Sequence, residues 1–356
     1  MQEENRKVIF VGGLNRTSGS MLPFFLDGTP GLVGLPFELH PSNVQGKIIT
    51  KKLFETSSVE EILKEIVKPQ LFFDTFPKTS DKSKQVYPFD SKKFIASLRG
   101  LILSKEVDEK NYLYVMARLW AEQRGVDFGN GLFVDHSGHG FEYDTTRLFE
   151  ENKIGFYVYT KRNFLNWYAS FIKVCCSHKA DDFYLAEQAY QVKCIADNLA
   201  EYYERIYPEK FKVVEYENIL NNPSEVYDSL IAFFGLERPE EISLSATYLG
   251  EPVLPNTSFK EKASDPTKLK KITVEQLGLF SSKMIEFLRE LSGQDVYPAA
   301  DEINRNTARL LHEHICFFQL AVWGFNSKIE SFTTKEVASN FMGRIRDKII
   351  STCKIG

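Results

Sequence analysis

The sequence predicts an α/β fold in three layers, a central parallel sheet flanked by helices, followed by a helical carboxyl-terminal addition. Three observations carry this. Short apolar runs at 7–11, 131–137, 154–160 and 211–216 alternate with longer segments of helical spacing. Strands separated by helices return by crossovers, which makes neighbouring strands parallel. Hydrophobic residues make up 43% of the 356, with 29 Phe and 16 Tyr, enough to bury a large core. The boundaries that follow are an α/β domain over 1–295, with a helical region at 31–130, and a helical extension over 296–356.

Taken in order, 7–11 reads as a buried strand and 18–26 as the helix after it. The Pro- and Gly-rich stretch 31–46 reads as a loop. Apolar spacing suits helices at 58–67, 90–103 and 109–124. The run "GLFVDHS" (131–137) is a short strand ending in polar residues, 145–152 a helix, and "IGFYVYT" (154–160) a second buried strand. Helices follow at 164–175 and 182–206. In the latter, Leu185, Ala189, Val192, Ala196, Leu199, Tyr203 and Ile206 recur at spacings of four and three, a stripe that buries one face. "FKVVEY" (211–216) is a strand, followed by a short turn and a helix over 223–236 that stops at a glycine. The Pro-containing stretch 250–270 is loop-like, and 268–291, 302–322 and 334–350 look helical.

Charged residues at 26% and no low-complexity run exclude a disordered chain. A net charge of −4 gives no global case for nucleic acid or an anionic membrane, so any anion site must be built locally. No apolar run approaches the roughly 20 residues of a spanning helix, and a strand starting near Lys7 leaves no room for a signal peptide. The five cysteines (Cys175, Cys176, Cys194, Cys316, Cys353) form no C-x-x-C pair and read as buried thiols in a reducing compartment. The expectation is a cytoplasmic protein in which the triplets at Asn15 and Asn256 carry no glycan.

Three segments carry chemistry. "IFVGGLNRTSGSML" (9–22) runs from a strand through glycines, an arginine and small hydroxyl residues into a helix start. Such a turn directs backbone amides and a helix's positive end at an anion. The lysine of a Gly-Lys-Ser/Thr ending is missing. In "VYTKRNFLNWYASF" (158–171), Arg162 leaves a strand and Ser170 follows eight residues later; the two can grip a phosphate, or be an ordinary surface arginine and a helix serine. In "VVEYENILNNPSEVYDSLIAFFGL" (213–236), Tyr216 at a strand end can lie against a flat base, or be a core tyrosine.

Together these segments resemble the sulfotransferase superfamily that uses 3′-phosphoadenosine 5′-phosphosulfate (PAPS), whose fold is P-loop-like. The family's G-x-P-R-S-G-T-T loop ending in "LDGHP" is matched by "GLNRTSGSMLPFFLDGTP", ungapped from Arg16 to Asp27. Arg162 with Ser170 matches the family's 3′-phosphate motif, and "EYENILNNPSEV" its Tyr-Glu-Asp-Leu-x-x-x-Pro segment. "LPNTSF" (254–259) is a fainter echo, and beyond 300 no match is seen. The resemblance implies that Gly13, Arg16, Thr17, Ser18, Gly19 and Ser20 hold the 5′ end of PAPS. It assigns the 3′ phosphate to Arg162 and Ser170, the base to Tyr216, and a further cofactor contact to Ser258. It implies no metal, since a sulfuryl group carries less charge than a terminal phosphate.

The chain departs from the family in two places. At Thr17-Ser18-Gly19-Ser20 the ungapped register puts Ser18 where Gly is usual and Gly19 where Thr is usual; a slip of one residue restores Ser-Gly-Ser. In "FVDHSGHG" (133–140), His136 stands where the family often has a Lys that touches the transferring group, and Ser137 where it has a hydroxyl. By the same resemblance the base is Glu38 of "GLPFELHP" (34–41), with His40 as the alternative. Catalysis is thus assigned to Glu38, Arg16 and His136. Asp135, His136 and His139 as metal ligands lack a supported third partner and are set aside. The acceptor, a sugar, phenol or other small molecule, is expected to meet 31–130, where Phe37, Phe72, Phe73 and Tyr87 suit a ring surface or a core equally. Two other classes stay open: a P-loop kinase or nucleotide hydrolase, and a binding protein that kept the fold without the chemistry. His312 and His314 need no function, and Cys175-Cys176 read as core.

Overall fold

Val8–Gly12 (β1) is apolar and buried throughout, and it hydrogen-bonds to a strand on each side. In the computed structural model the residues described are 8–14, 21–35, 39–41, 49–67, 90–126, 131–136, 145–151, 154–175, 180–241, 244, 247–248, 251–252, 278–294 and 298–324. After β1 come Met21–Phe25 (α1), Leu32–Gly34 (β2), Lys51–Thr56 (α2), Val59–Val67 (α3), Ser91–Leu103 (α4) and Tyr112–Arg124 (α5). Leu132–His136 (β3), Thr145–Glu150 (α6), Phe156–Lys161 (β4), Phe164–Cys175 (α7) and Phe183–Ile206 (α8) follow. The chain continues through Phe211–Glu215 (β5), Tyr216–Asn221 (α9) and Pro223–Phe233 (α10). Thr247–Tyr248 (β6), Glu251–Pro252 (β7), Ser282–Leu291 (α11) and Arg305–Gly324 (α12) complete it.

The chain divides into two compact units. One comprises Met1–Gly13, Ser18–Thr160 and Glu209–Leu269, the other Leu14–Thr17, Lys161–Pro208 and Lys270–Gly356. The first holds a five-stranded sheet in the order β2-β3-β1-β4-β5. Pairing is parallel from β2 through β3 and β1 to β4, with Ile9 opposite both Val134 and Phe156. Side chains alternate across a strand, so the sheet has two chemically different faces. Ile9, Val11, Val134, Val158 and Val214 pack against Leu22, Phe25 and Leu26 at α1 and against Ile219, Leu230 and Ile231 of α9 and α10. The other face buries Phe10, Phe133, Asp135, Tyr157 and Tyr159. There Tyr114 of α5 meets Phe133 edge-on at 5.6 Å, and Phe211 stacks on Tyr157 at 5.0 Å. The first face mixes aliphatic side chains with Phe25, Tyr227 and Phe234, while the second is mainly aromatic.

The helices carry their own start and stop signals. The Asp90 side chain accepts from Lys93 N–H at α4, and Asp182 does the same for Leu185 at α8. Gly125 ends α5 and Gly235 follows α10, each in the left-handed region that favours glycine. In the second unit α8 is the spine, packed by α7, α11 and α12. Its stripe buries Ala189, Val192, Ala196, Leu199 and Tyr203, while Ile206 at its end is exposed. Phe164 meets Tyr190 edge-on at 4.8 Å, and Tyr203 donates to or accepts from His312 Nε2 at 2.8 Å. Among the described residues no helix is long and apolar enough to cross a membrane.

The strands at 7–11, 131–137, 154–160 and 211–216 form close to where the pattern placed them. The stretch 31–46 was expected to be a loop, yet Leu32–Gly34 is an edge strand. Three residues are too few to display an alternation, so Leu-Val-Gly between prolines and glycines gives no periodic signal. Lys51–Thr56 is helical where no helix was expected, and it buries no residue that could set a period. Tyr216 was expected to end a strand before a short turn; it begins α9 instead. The loop expected over 250–270 holds β7 near its start, paired antiparallel with β6 just before it.

Candidate functional site: the carboxyl edge of the sheet

Ligands of parallel α/β sheets bind beyond the carboxyl ends of the strands, beside the strand where the connections diverge. Here β1 occupies the middle of the order, with β3 on one side and β4 on the other. Its carboxyl end pairs Gly12 with Tyr159, and the Thr160 hydroxyl donates to the Gly12 carbonyl at 3.2 Å. The exits of β1 and β4 are thereby tied side by side. Gly13, the first residue past β1, is buried. Arg16, Thr17, Ser18, Gly19 and Ser20, the rest of the loop singled out in the sequence, lie outside the described residues.

On the other flank of β1 the exits of β2 and β3 are joined by two bonds. Leu35 N–H donates to the Val134 carbonyl at 2.8 Å, and Leu39 N–H donates to Asp135 Oδ1 at 2.9 Å. His136 closes β3, its backbone opposite Val11; its side chain lies outside the described residues, as do Ser137, His139 and the expected base, Glu38. His40, the alternative base, is partly buried. At the other edge of the sheet, Tyr216 follows β5 and packs against the core that holds Ile9, Val11 and Val158. Gly13 and His136 are thus both at the carboxyl edge of this unit's sheet.

In the second unit Arg162 comes directly after β4 and is partly buried, while Ser170 lies within α7 and is 2% exposed. The neighbouring Lys161 makes an ion pair with Glu201 of α8 at 2.7 Å. Ser258, Phe37, Phe72, Phe73, Tyr87 and Cys176 lie outside the described residues. Among the described residues no group of three or more His, Cys, Asp or Glu side chains is placed to hold a metal. A glycine turn at a strand exit offers backbone amides to an anion, and an arginine at a strand exit offers paired donors.

Sequence reasoning missed two residues at this edge. The sequence offers Asp135 only as a metal-ligand candidate, yet it is fully buried and anchors the chain leaving β2. A carboxylate inside "LFVDH" was the available signal, because a charge in a buried strand needs a bonded partner. Thr160 reads as one more β-branched strand residue, and nothing in the pattern marks its hydroxyl as the link to Gly12.

No family model matches the chain, and neither does any curated protein. Two solved structures are similar to it. The sulfotransferase domain from the Synechococcus PCC 7002 olefin synthase is 14% identical, with a TM-score of 0.41 over 81% of this chain and 95% of that one. The sulfotransferase domain from the curacin biosynthetic pathway is 17% identical, with a TM-score of 0.39 over 81% of this chain and 98% of that one.

Proposed function

We propose that the chain is a sulfotransferase that moves the sulfuryl group of PAPS to the hydroxyl of a small-molecule or glycan acceptor by in-line displacement. The observation that carries this reading is the parallel pairing of β1 with β4. It sets the two strands whose exits lead to the Arg16 loop and to Arg162 next to each other, with their ends tied through Thr160 and Gly12. A donor with a phosphate at each end needs two such exits.

In the proposed reaction the acceptor oxygen forms a bond to sulfur as the bond from sulfur to the 5′-phosphate oxygen breaks. The acceptor proton passes to Glu38, with His40 the alternative base. Gly13, Thr17, Ser18, Gly19 and Ser20 supply amides and hydroxyls around the 5′ phosphate. Arg16 and His136 stabilise the negative charge that grows there as adenosine 3′,5′-bisphosphate leaves. Arg162 and Ser170 hold the 3′ phosphate, which separates PAPS from ordinary adenine nucleotides. Tyr216 and Ser258 complete the nucleotide contacts. No metal takes part in the scheme.

Calorimetric titration tests the reading directly. Adenosine 3′,5′-bisphosphate is expected to bind without Mg²⁺ and far more tightly than AMP, and labelled PAPS to pass its sulfate to a member of an acceptor panel. Binding of ATP with Mg²⁺ in preference to the bisphosphate would turn the assignment to a kinase or hydrolase.

A further inference from the structure

Thr160 is fully buried, and its hydroxyl donates to the Gly12 carbonyl at 3.2 Å across 148 residues of sequence. Val158, two residues earlier on the same face of β4, is an apolar β-branched residue of nearly the same shape. A hydroxyl is what Thr160 adds, and burying one is unfavourable unless it is bonded. The bond falls at the last residue of β1, where Gly12 pairs with Tyr159 and the strand gives way to Gly13. The Gly12 carbonyl and the Gly13 N–H belong to one planar trans peptide and point in opposite directions. With the carbonyl turned to β4, the Gly13 N–H is turned away from it, to the flank where His136 ends β3. Glycine tolerates many backbone orientations, so a peptide plane between two glycines rotates readily unless something holds it.

We propose that Thr160 is a positioning residue: its hydroxyl holds the Gly12–Gly13 peptide plane so that the Gly13 N–H faces the 5′ phosphate of the donor. This rests on the sulfuryl-transfer reading and names the group that sets the first amide of the phosphate turn. Thr160 touches no ligand in this scheme and acts through the peptide. An amide oriented beforehand meets an anion at full strength, whereas a plane free to rotate loses part of the bond to ordering. The amide is directed to the flank of His136, the side chain assigned to the charge on the same phosphate. The 3′ phosphate is assigned to Arg162 and Ser170, so the effect of Thr160 is confined to the 5′ end.

The test compares wild type, Thr160→Val, Thr160→Ser and Arg162→Ala. Each is titrated calorimetrically with adenosine 3′,5′-bisphosphate and with adenosine 3′-monophosphate, which lacks the 5′ phosphate. In protein carrying isotope-labelled glycine, the Gly13 amide resonance is followed through the same titrations. Thr160→Val keeps the shape and removes the donor. It is expected to weaken the bisphosphate about tenfold, the scale of one bond to a charged group, and to leave the monophosphate within about twofold. Thr160→Ser, which retains the hydroxyl, should stay within about threefold of wild type for both ligands. Arg162→Ala should weaken both, since both carry the 3′ phosphate. The Gly13 resonance should shift with the bisphosphate in wild type and the Ser variant, and shift less in the Val variant. If Thr160→Val does not fold, Thr160→Ala takes its place, since it lacks the hydroxyl too. An equal loss for the two nucleotides in the Val variant, a Ser variant as weak as Val, or a wild-type Gly13 resonance that does not answer the bisphosphate each overturn the proposal. A wild type that binds neither nucleotide overturns the function itself, and this inference with it. A wild type that binds the bisphosphate, with a Val variant that binds it equally well, overturns the inference alone.

Discussion

His314, in α12, is 3% exposed, and neither ring nitrogen has a hydrogen-bond partner among the described residues. Burial alone holds its pKa down, from the usual 6.5 to about 4. The unfolded chain therefore takes up a proton near pH 6.5 that the folded chain refuses until about pH 4. In that window the unfolded state binds more protons, so stability is full above pH 6.5 and falls as the solution is acidified. The two pKa values give a loss of about 2 kcal/mol between pH 7.5 and pH 5, and about 3 kcal/mol once both states are protonated. His312, two residues earlier, is buried as well but shares a hydrogen bond with Tyr203.

His314→Leu keeps the side-chain volume nearly constant and removes the titrating group. Other acidic and basic groups are common to both proteins, so they cancel when each protein's change with pH is subtracted from the other's. Urea unfolding at pH 7.5 and pH 5 is the assay. The variant is expected to be as stable as wild type or about 1–2 kcal/mol more stable at pH 7.5, since a desolvated, unbonded imidazole is itself unfavourable. Between the two pH values it should lose about 2 kcal/mol less than wild type. Equal losses in the two proteins would refute the reasoning, and would mean that the imidazole is solvated or bonded in the native state.

Arg162→Ala is expected to weaken adenosine 3′,5′-bisphosphate far more than AMP in calorimetric titrations, because only the former has a 3′ phosphate to lose; equal losses would remove the residue from that role. Glu38→Gln should cut turnover at least about a hundredfold with bisphosphate affinity unchanged, and full activity would move the base to His40 or elsewhere. The buried hydroxyls of Thr29 and Tyr227 lie 2.8 Å apart. Thr29→Val should cost about 1–3 kcal/mol by stranding the Tyr227 hydroxyl, whereas Thr29→Val with Tyr227→Phe should cost less than the sum of the two single changes. Strict additivity in urea unfolding would show that the two do not bond. Adding a methyl group at Gly34 would bring a Cβ to 3.2 Å from the Pro23 carbonyl, so Gly34→Ala should lower the unfolding midpoint, and an unchanged midpoint would show that the β2–α1 packing has slack.

The parts of the fold legible in the sequence are those in which one element is long enough to repeat its own period. The stripe of α8 spans six turns, and the apolar runs of β1 and β4 are buried on both faces, so no tertiary knowledge was needed to see them. Leu32–Gly34 became a strand because β3 offers an edge to pair with, which is a fact about another part of the chain. Tyr216 illustrates the same limit at the candidate site. Local pattern marks it as a strand end, but the first turn of α9 claims its backbone and the core between sheet and helices claims its ring. Strand order was also beyond reach, because periodicity names strands without saying which are neighbours.

With β4 beside β1, the loop that carries the hydroxyls and the exit that carries Arg162 leave adjacent strands. Had β5 stood between them, the exits would have been about 10 Å apart, two strand spacings instead of one. The same order puts β3 on the opposite flank of β1, so the chain leaving β2 reaches Asp135 from the side away from β4. The proposed function assigns Arg162, past β4, to the nucleotide, and Glu38, past β2, and His136, ending β3, to turnover. This division predicts that substitutions on the two flanks separate kinetically: those past β4 change nucleotide affinity, and those at the β2 and β3 exits change turnover. A variant at Asp135 that weakened bisphosphate binding as much as Arg162→Ala would break that separation.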